Sequence, residues 1–390
     1  MKRLLLILGF LLLFGVEILR VYFIMPFPGS QEADTISFAY WLANNIFWLR
    51  ILALLFLLFP AVSVFKNGKK QAKIIFFSFV ILYAVIFLLV NFHFEADKMF
   101  YQPTQKIFAG ANKNKIKADK LIIGVAINGE AKAYPIQLIG YHHQVRDLIG
   151  GTPVMITYCT VCRTGRAFSP VVADKIENFR LVGMDHFNAM FEDAATKSWW
   201  QQATGVAIAG PLKGLALKEI PSQQATLAGW LQRYPNSLIM QPDTTFAEEY
   251  ENLAKYDQGI GKSDLTKRDS ASWKPKSWVV GIVYNHASKA YDWNELVKKR
   301  ILQDSLPGIP VLVTLEKDSA TFHVFNRNVK DKTLSFSPSL NGQMTDDAKS
   351  IWNMSGECTE GLMKGEKLQS IQAYQEFWHS WKTFHPKTMR

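Results

Sequence analysis

The residues best suited to chemistry are two cysteines in the segment Cys159-Thr-Val-Cys162. Two thiolates at this spacing can bind one ion, and imidazoles can complete a site for zinc or copper. The same spacing suits a dithiol that is oxidised to a disulfide. The chain has three cysteines, too few for a scaffold held by disulfides. The third, Cys358, is predicted to be a small buried residue.

Histidines are the candidate partners of the two thiols. His143 is predicted to be a metal ligand with Cys159 and Cys162, and His142 or His186 is the candidate fourth ligand. His142 and His143 are adjacent, so in an extended segment their side chains point to opposite faces. At most one of them is therefore expected to face the cysteines, and structural roles stay open for all three histidines.

A redox pair would instead need positive charge near the thiols, which Arg163, Arg166 or the histidines could supply. A structural disulfide, or a pair of buried thiols, is the third interpretation. An oxidising compartment favours the interpretations that involve a disulfide. The chain has no Ser-His-Asp elbow, no H-E-x-x-H motif and no dinucleotide fingerprint. No catalytic residue is therefore assigned.

The sequence contains an internal duplication. Gly124–Asn128 matches Gly281–Asn285, and a second block matches at a slightly different offset. The matched pairs of that block are Gly205 with Gly356, Gly210 with Gly361, Gly214 with Gly365, Leu217 with Leu368, Trp230 with Trp381 and Pro235 with Pro386. Matched glycines, prolines and aromatics indicate matched turns and core anchors. We predict two copies of one unit, copy one over residues 118–240 and copy two over 275–390, joined by a polar connection over 241–274.

Positions that differ between the copies are the candidates for function. Cys159 aligns with Glu316, and Cys162 aligns with Ser319. The adjacent histidines of copy one align with Lys299 and Arg300. The set of cysteines and histidines is therefore confined to copy one.

Each copy is predicted to mix strands and helices, which makes the fold class α+β with a β-rich duplicated region. Leu121–Ile127 and Val154–Cys159 are apolar, β-branched and bounded by turn residues, as strands are. Ser222–Tyr234 and Ser370–His385 show helical apolar spacing behind a serine cap. Cys159 thus ends a strand, and loops at strand ends commonly carry binding groups.

Three apolar runs precede the copies, at about residues 4–27, 46–65 and 74–92. Each approaches the roughly 20 residues that a helix needs to cross a bilayer. We predict a transmembrane region over residues 1–93. A cleaved signal peptide is the alternative for the first run, but no small-x-small cleavage site stands out and two further spans follow. Glu17 and Arg20 within the first span are predicted to form a local ion pair.

The charge pattern predicts orientation and partners. The net charge is +11, but Lys and Arg are scattered, so no nucleic-acid partner is predicted. Lys2, Arg3 and the Lys66–Lys73 loop are basic, whereas the loop carrying Glu32 and Asp34 is acidic. The positive-inside rule then places the N-terminus in the cytoplasm and both copies outside it, at the plasma (inner) membrane. The lipid bilayer is the predicted partner, and a homo-oligomer is possible.

Three motifs of copy one are distinctive: Tyr158-Cys-Thr-Val-Cys162, then Asn188-Ala-Met-Phe-Glu-Asp193 followed by Thr196, Ser198 and Trp200, then Gly205 and Gly210-Pro-Leu-Lys-Gly214. They resemble the bacterial and archaeal domain-of-unknown-function family 3179. That family typically shows a Tyr-Cys-Pro-Leu-Cys-like strand end and an upstream histidine, which His143 matches best. Here Thr160-Val161 replaces Pro-Leu. The resemblance implies membership and little about activity, because the family lacks an established biochemical role.

These observations lead to three hypotheses. The first is a membrane-anchored extracytoplasmic protein that binds copper or zinc through the Cys-x-x-Cys segment and histidine. The second is a thiol–disulfide redox protein that uses the same cysteines. The third is a non-catalytic membrane scaffold or binding module in which copy two supports copy one. Whether the protein is an enzyme stays open.

Overall fold

The computed structural model describes residues 2–339 and 342–390. Nine helices occur within these residues: α1 (Lys2–Tyr22), α2 (Ile36–Asn67), α3 (Lys70–Phe92), α4 (Ala96–Met99), α5 (Ile136–His142), α6 (Leu227–Arg233), α7 (Ala247–Asn252), α8 (Trp293–Lys299) and α9 (Trp378–Phe384). The predicted α+β class, with three apolar helices ahead of a β-rich region, is confirmed.

The strands are short and mostly antiparallel. Those before residue 241 are β1 (Phe108–Ala109), β2 (Leu121–Ile127), β3 (Glu130–Pro135), β4 (Gln144–Ile149), β5 (Thr152–Cys159), β6 (Thr164–Phe168), β7 (Val171–Val172), β8 (Lys175–Ile176), β9 (Phe179–Asp185), β10 (Asn188–Asp193), β11 (Trp199–Gln201), β12 (Ala207–Ala209), β13 (Gln223–Thr226) and β14 (Leu238–Met240). Those after it are β15 (Trp278–Tyr284), β16 (Ala287–Asp292), β17 (Ile301–Leu306), β18 (Ile309–Leu315), β19 (Phe322–Asn326), β20 (Asn328–Val329), β21 (Lys332–Thr333), β22 (Phe336–Pro338), β23 (Gln343–Asp346), β24 (Ile351–Asn353), β25 (Cys358–Glu360), β26 (Gln369–Ser370) and β27 (Ala373–Phe377).

Helices α1, α2 and α3 are long and apolar enough to cross a membrane. The apolar run of the first predicted span continues to Phe27, but α1 ends at Tyr22. Pro26 and Pro28 follow closely, and proline cannot continue a helix. Helix α2 begins at Ile36, well before the predicted span, because its first turns include polar residues such as Asn44 and Asn45 that lie outside the apolar run.

The chain divides into two compact units. The first comprises Met1–Tyr101, Glu177–Gln201 and Val206–Ala216, and so adds strands β9 to β12 of copy one to the apolar helices. The second comprises Gln102–Ile176, Gln202–Gly205 and Leu217–Arg390, and contains the rest of copy one with all of copy two.

In the first unit, the segment that follows α1 packs against the sheet of order β12-β11-β10-β9. The Met184 amide donates to the Ile24 carbonyl at 2.7 Å, and the Phe187 amide donates to the Gln31 side chain at 3.1 Å. A Cβ on Gly183 would lie 2.2 Å from the Ile24 oxygen, so this close approach requires glycine. The helical region and the sheet of this unit are therefore joined by backbone contacts.

A polar cluster ties the three apolar helices together. Glu17 on α1 has no solvent exposure and accepts a two-point hydrogen bond from Arg50 on α2, at 2.7 and 2.9 Å. Tyr83 and Asn91 on α3 also donate to Glu17. The predicted local pair between Glu17 and Arg20 is wrong, because Arg20 pairs with Glu95 at 2.8 Å instead. Each charge is paired with a partner on another segment, and only the Glu17 carboxylate is fully buried.

The duplication is visible in the element order. The series from β2 to α6 recurs as β15 to α9, with β26 added in copy two. In both copies a central glycine of the first strand lies against the tryptophan of the last helix. A Cβ on Gly124 would lie 2.5 Å from Trp230, and one on Gly281 would lie 2.3 Å from Trp381. The matched residues of the sequence thus make matched contacts.

The predicted helices at Ser222–Tyr234 and Ser370–His385 are wrong in their first halves. Strand β13 occupies the start of the first segment and pairs antiparallel with β2, and β27 pairs in the same way with β15. Helix α6 begins only at Leu227, where the Thr226 hydroxyl accepts from the Gly229 amide as an N-cap. Pairing with a distant strand overrides the helical spacing of these residues.

We predict that the Glu17 contacts hold the helices together. Glu17→Ala leaves the Arg50 guanidinium without its carboxylate and should lower the free energy of unfolding by about 3–5 kcal/mol. Titrating the purified full chain in detergent micelles with dodecyl sulfate, and following helix loss by circular dichroism, measures this.

Leu55→Ala is the control for that prediction, since Leu55 is 60% exposed on α2. Replacing both charges together, as Glu17→Leu with Arg50→Leu, should lower the free energy of unfolding by less than Glu17→Ala alone. If Glu17→Ala loses helix at the same dodecyl sulfate content as the wild type, the cluster does not hold the helices together.

Candidate functional site

The two cysteines lie at a hairpin turn of copy one, in the second unit. Cys159 ends β5, where it pairs with Thr164 of β6, and Cys162 lies in the turn between these strands. Both side chains are fully buried and are present as thiols. Cys159 lies near enough to Cys162 to act on the pKa of its thiol. The expectation that the pair lies at a strand end therefore matches the fold, and the two sulfurs are neighbours.

The backbone of this turn is held by residues from outside copy one. Three consecutive carbonyl oxygens each accept a hydrogen bond from the connection or from copy two. These bonds run from the Tyr256 hydroxyl to Thr160 (2.8 Å), from Lys276 Nζ to Val161 (2.7 Å) and from the Phe377 amide to Cys162 (2.9 Å). The position of both thiols thus depends on how copy two docks against copy one.

The electrostatics around the thiols combine burial with one nearby cation. Burial raises the pKa of Cys162 well above its ordinary value, and the neighbouring Cys159 raises it further, whereas Ser380 and Lys276 act in the opposite direction. Burial also lowers the pKa of Lys276 to about 8. The Cys162 thiol is therefore expected to be protonated at neutral pH, next to an ammonium group that would stabilise a thiolate.

His379 lies beside the same turn. Its Nε2 is 3.2 Å from the Val161 carbonyl and 3.1 Å from Lys276 Nζ. Burial lowers the pKa of His379 to about 4, with a further contribution from Lys276. Lys276 and His379 are only partly buried, so they form the side of the turn that is nearest to solvent.

The two arginines proposed as cations for the thiols engage copy two. The Arg163 guanidinium lies 3.8 Å from the ring centre of Trp278 and donates to Gln375 at 2.8 Å. Arg166 forms a buried ion pair with Glu376 at 2.8 Å. Their roles are therefore to join the copies, and Lys276 is the cation whose charge acts on both thiols.

His143 occupies a position that has the same backbone conformation in both copies. It follows α5 in the left-handed conformation with φ of 61°, and its counterpart Arg300 follows α8 with φ of 65°. The His143 carbonyl accepts from the Tyr158 amide at 2.9 Å, and the ring Nδ1 lies 2.9 Å from the Tyr141 carbonyl. Burial lowers its pKa to about 4, so the ring is neutral at physiological pH.

The other two predicted ligands have identified neighbours. His142 lies on α5 among aromatic rings, with Nε2 2.6 Å from the Tyr250 hydroxyl. His186 belongs to the first unit, where its Nδ1 is 2.7 Å from Asp185. That hydrogen bond raises the pKa of His186. The structure thus gives His142 and His186 partners other than the cysteines.

Within residues 2–339 and 342–390, no three His, Cys, Asp or Glu side chains are arranged to hold one metal ion. The metal site predicted over Cys159, Cys162, His143, His142 and His186 stays a prediction. Its paired thiols are the part that the structure brings together.

The acidic motif after the cysteines has a structural role. Asp193 accepts hydrogen bonds from the Trp200 indole at 2.9 Å and from the amides of Thr196 and Ser198. In copy two, Asp346 accepts from the Trp352 indole at 3.0 Å in the same manner. The shared contact identifies Asp193 as a turn residue.

Sequence reasoning missed Lys276, His379 and Ser380 as neighbours of the cysteines. They lie more than 100 positions along the chain, in copy two. A difference between the copies could have pointed to them. In the second matched block, His379 and Ser380 of copy two align with Ala228 and Gly229 of copy one. A search for residues found only in copy two would have selected them.

The fold and the site define a class of protein with three apolar helices, a duplicated α+β region and a buried dithiol between the duplicated halves. A family model described as a protein of unknown function, DUF3179, matches residues 102–388. The chain belongs to that family. No curated protein and no solved structure matches it.

Proposed function

We propose that this protein is a membrane-anchored thiol–disulfide protein whose Cys159–Cys162 pair acts outside the cytoplasm. The observation that carries the proposal is a pair of buried thiols in one hairpin turn, where Cys159 is close enough to act on the pKa of Cys162 and Lys276 donates to the Val161 carbonyl between them. Two neighbouring thiols can close a disulfide with little movement of the backbone. The lysine ammonium favours the thiolate that must form during exchange.

The reaction involves a partner disulfide of another thiol compound. A thiolate from the pair attacks one sulfur of the partner disulfide, and the resulting mixed disulfide is resolved by the second cysteine. One partner S–S bond breaks, one Cys159–Cys162 bond forms, and the two thiol protons pass to the released thiols. The pair is oxidised by two electrons, and the partner is reduced by two.

Burial sets the conditions under which this exchange proceeds. Neither sulfur reaches solvent, and the raised pKa of Cys162 keeps the resting thiol protonated and slow. The turn is held by three hydrogen bonds to its carbonyls. A partner that displaces the side chains of Lys276 and His379 would therefore control access to the two thiols.

Orientation in the membrane is the second part of the proposal. The basic Lys66–Lys73 loop lies between α2 and α3, and the N-terminus carries Lys2 and Arg3. These charges favour a cytoplasmic location for that side, which puts both copies outside the cytoplasm. An oxidising compartment is where a reversible disulfide has thiol-oxidising partners.

Monovalent copper is the second candidate ligand for the same thiols. Soft thiolates select this ion, and two of them suffice to bind it. The resulting complex carries one negative charge, which one ammonium at Lys276 would balance. Zinc is less favoured, because its protein sites normally supply three or four ligands, and the described part of the chain has no group of three His, Cys, Asp or Glu side chains that could hold one ion.

The redox proposal predicts that two cysteines change state together. The full chain in detergent is equilibrated in dithiothreitol buffers of graded potential, alkylated and weighed intact. We expect one two-electron transition in which the number of alkylated cysteines falls from three to one, since Cys358 stays a thiol. Cys159→Ser and Cys162→Ser should abolish it, whereas Cys358→Ser, the matched control, should keep it. Three cysteines that stay alkylatable in the most oxidising buffer would refute the proposal.

The copper proposal predicts one tight site in the reduced protein. Competition with bicinchoninate for monovalent copper should give one ion per chain in the wild type and in Cys358→Ser. Cys159→Ser should lose it, and Lys276→Gln should weaken it more than Lys276→Arg, which keeps the charge. Equal affinity in wild type and Cys159→Ser would exclude this ligand set.

The proposed orientation predicts opposite results for two fusions. Alkaline phosphatase fused after Arg390 should be active, because its disulfides form only outside the cytoplasm. The same enzyme inserted in the Lys66–Lys73 loop should be inactive. Activity of the loop insertion together with inactivity of the C-terminal fusion would reverse the topology.

A further inference from the structure

A cluster of lysines lies at one end of the three apolar helices, in the first unit. Its members fall within or beside the short turn that joins α2 to α3: Lys66, Lys69, Lys70 and Lys73. The turn is tightly held, because the Gly68 amide donates to the Val64 carbonyl at 2.9 Å. Below it, the ring of Phe65 on α2 packs edge-on against Phe77 on α3, with ring centres 5.5 Å apart. The two helix ends that carry the lysines are therefore fixed next to each other.

Acidic side chains are missing from this end of the helices. The sequence has no Asp or Glu between residues 35 and 94. Glu17 is the acidic residue of α1, and it lies about 22 Å along that helix from Lys2 at 1.5 Å per residue. Lys2 adds a further ammonium to the cluster, since its Nζ lies 3.3 Å from the Ser63 hydroxyl on α2.

None of the five lysines forms a salt bridge within residues 2–339 and 342–390. The charge of this end is thus positive and is not balanced by acidic side chains of the described chain. An anion from outside the chain can balance it.

A groove of about 580 Å³ begins at two of these lysines and follows α3. Lys70 and Lys73 line its start, and the apolar side chains Ile74, Phe77 and Ile81 line the rest. The apolar side chains recur at helical spacing on one face of α3, and all three are exposed. The groove thus combines a cationic end with an apolar floor.

Lys70 and Lys73 are placed to meet one anion together. They are three positions apart on α3, which puts their Cβ atoms about 5–6 Å apart on the same side of the helix. Lys70 is exposed and Lys73 is half-buried. A lysine at the end of a membrane span packs its stem along apolar surface and turns its ammonium to the membrane–water boundary. Both ammonium groups therefore reach the level at which lipid phosphates lie.

We propose that this groove binds an anionic phospholipid from the leaflet on the side of the Lys66–Lys73 loop. Its phosphate lies between Lys70 and Lys73, and one acyl chain follows Ile74, Phe77 and Ile81. A phospholipid with a neutral glycerol headgroup keeps the net negative charge that the lysines attract. A choline headgroup would add a cation next to them. The inference rests on the membrane location proposed above and does not involve the thiols.

Native mass spectrometry of the full chain, released from detergent micelles, tests this site. The probe is phosphatidylglycerol, and its zwitterionic counterpart is phosphatidylcholine with the same acyl chains. We expect phosphatidylglycerol to bind at least about tenfold more tightly, because two ammonium groups act on its phosphate. Lys70→Gln with Lys73→Gln should weaken phosphatidylglycerol by about tenfold or more.

A matched pair of variants separates the groove from the general charge of the turn. Lys66→Gln with Lys69→Gln removes the same charge from lysines that do not line the groove. It should weaken binding by no more than about threefold, because these charges act only from a distance. Circular dichroism of each variant shows whether its helices are intact.

A second pair tests the apolar part of the groove. Ser78 lines it, so Ser78→Trp places a large ring there while keeping every lysine, and should block binding. Val80 is also exposed on α3 but does not line the groove, so Val80→Trp should leave binding unchanged.

Four results would overturn the proposal. The first is equal binding of the two lipids to the wild type, or binding of neither. The second is an equal loss in the two double lysine variants, which would mean attraction by the whole turn. The third is unchanged binding in Ser78→Trp. The fourth is displacement of phosphatidylglycerol by an equal concentration of glycerol 3-phosphate, which would make the ligand a soluble phosphate. The state of Cys159 and Cys162 is measured separately by alkylation, so failure here is distinct from failure of the redox proposal.

Discussion

The arrangement of the second unit depends on two buried guanidinium groups that cross from copy one into copy two. Arg163 is 1% exposed and Arg166 is 4% exposed. A charge buried in this way costs several kcal/mol unless a partner of the right geometry meets it. Gln375 and Glu376 are those partners. Burial raises the pKa of Glu376 even beside Arg166, which shows how strongly the surroundings disfavour an isolated charge. These contacts favour the observed register, because a shifted register would leave a buried guanidinium without its partner.

This register is what creates the dithiol site. Arg163 directly follows Cys162, so the residue that anchors the docking lies next to the thiol. With Arg163 packed on Trp278, the turn carbonyls accept hydrogen bonds from the Lys276 ammonium and the Phe377 amide. The site is consequently a property of both copies, although every cysteine and histidine predicted for it belongs to copy one.

Features set by neighbouring residues could be predicted from the sequence, whereas features set by contacts between residues far apart in the chain could not. Strand Leu121–Ile127 was predicted with the observed bounds, because apolar β-branched residues between turns are a local signal. Residues 222–226 were predicted as helix, because their pairing with β2 is invisible locally. Glu17 was paired with Arg20 for the same reason, since its real partner is on another helix. Lys276 beside the thiols depends on docking between copies, which spacing along the chain does not reveal.

The duplication also explains how one backbone arrangement can support two different sites. The two copies share backbone contacts, as at Gly124 with Trp230 and Gly281 with Trp381, although their turn residues differ. The two turns are then free to change. The turn of copy one carries the two thiols and is covered by the longer side chains of His379 and Ser380 from copy two. Its counterpart carries Glu316 and faces alanine and glycine, so it stays open. Within the same frame of strands the two turns thus differ, because one holds a buried pair of thiols and the other borders an open cleft.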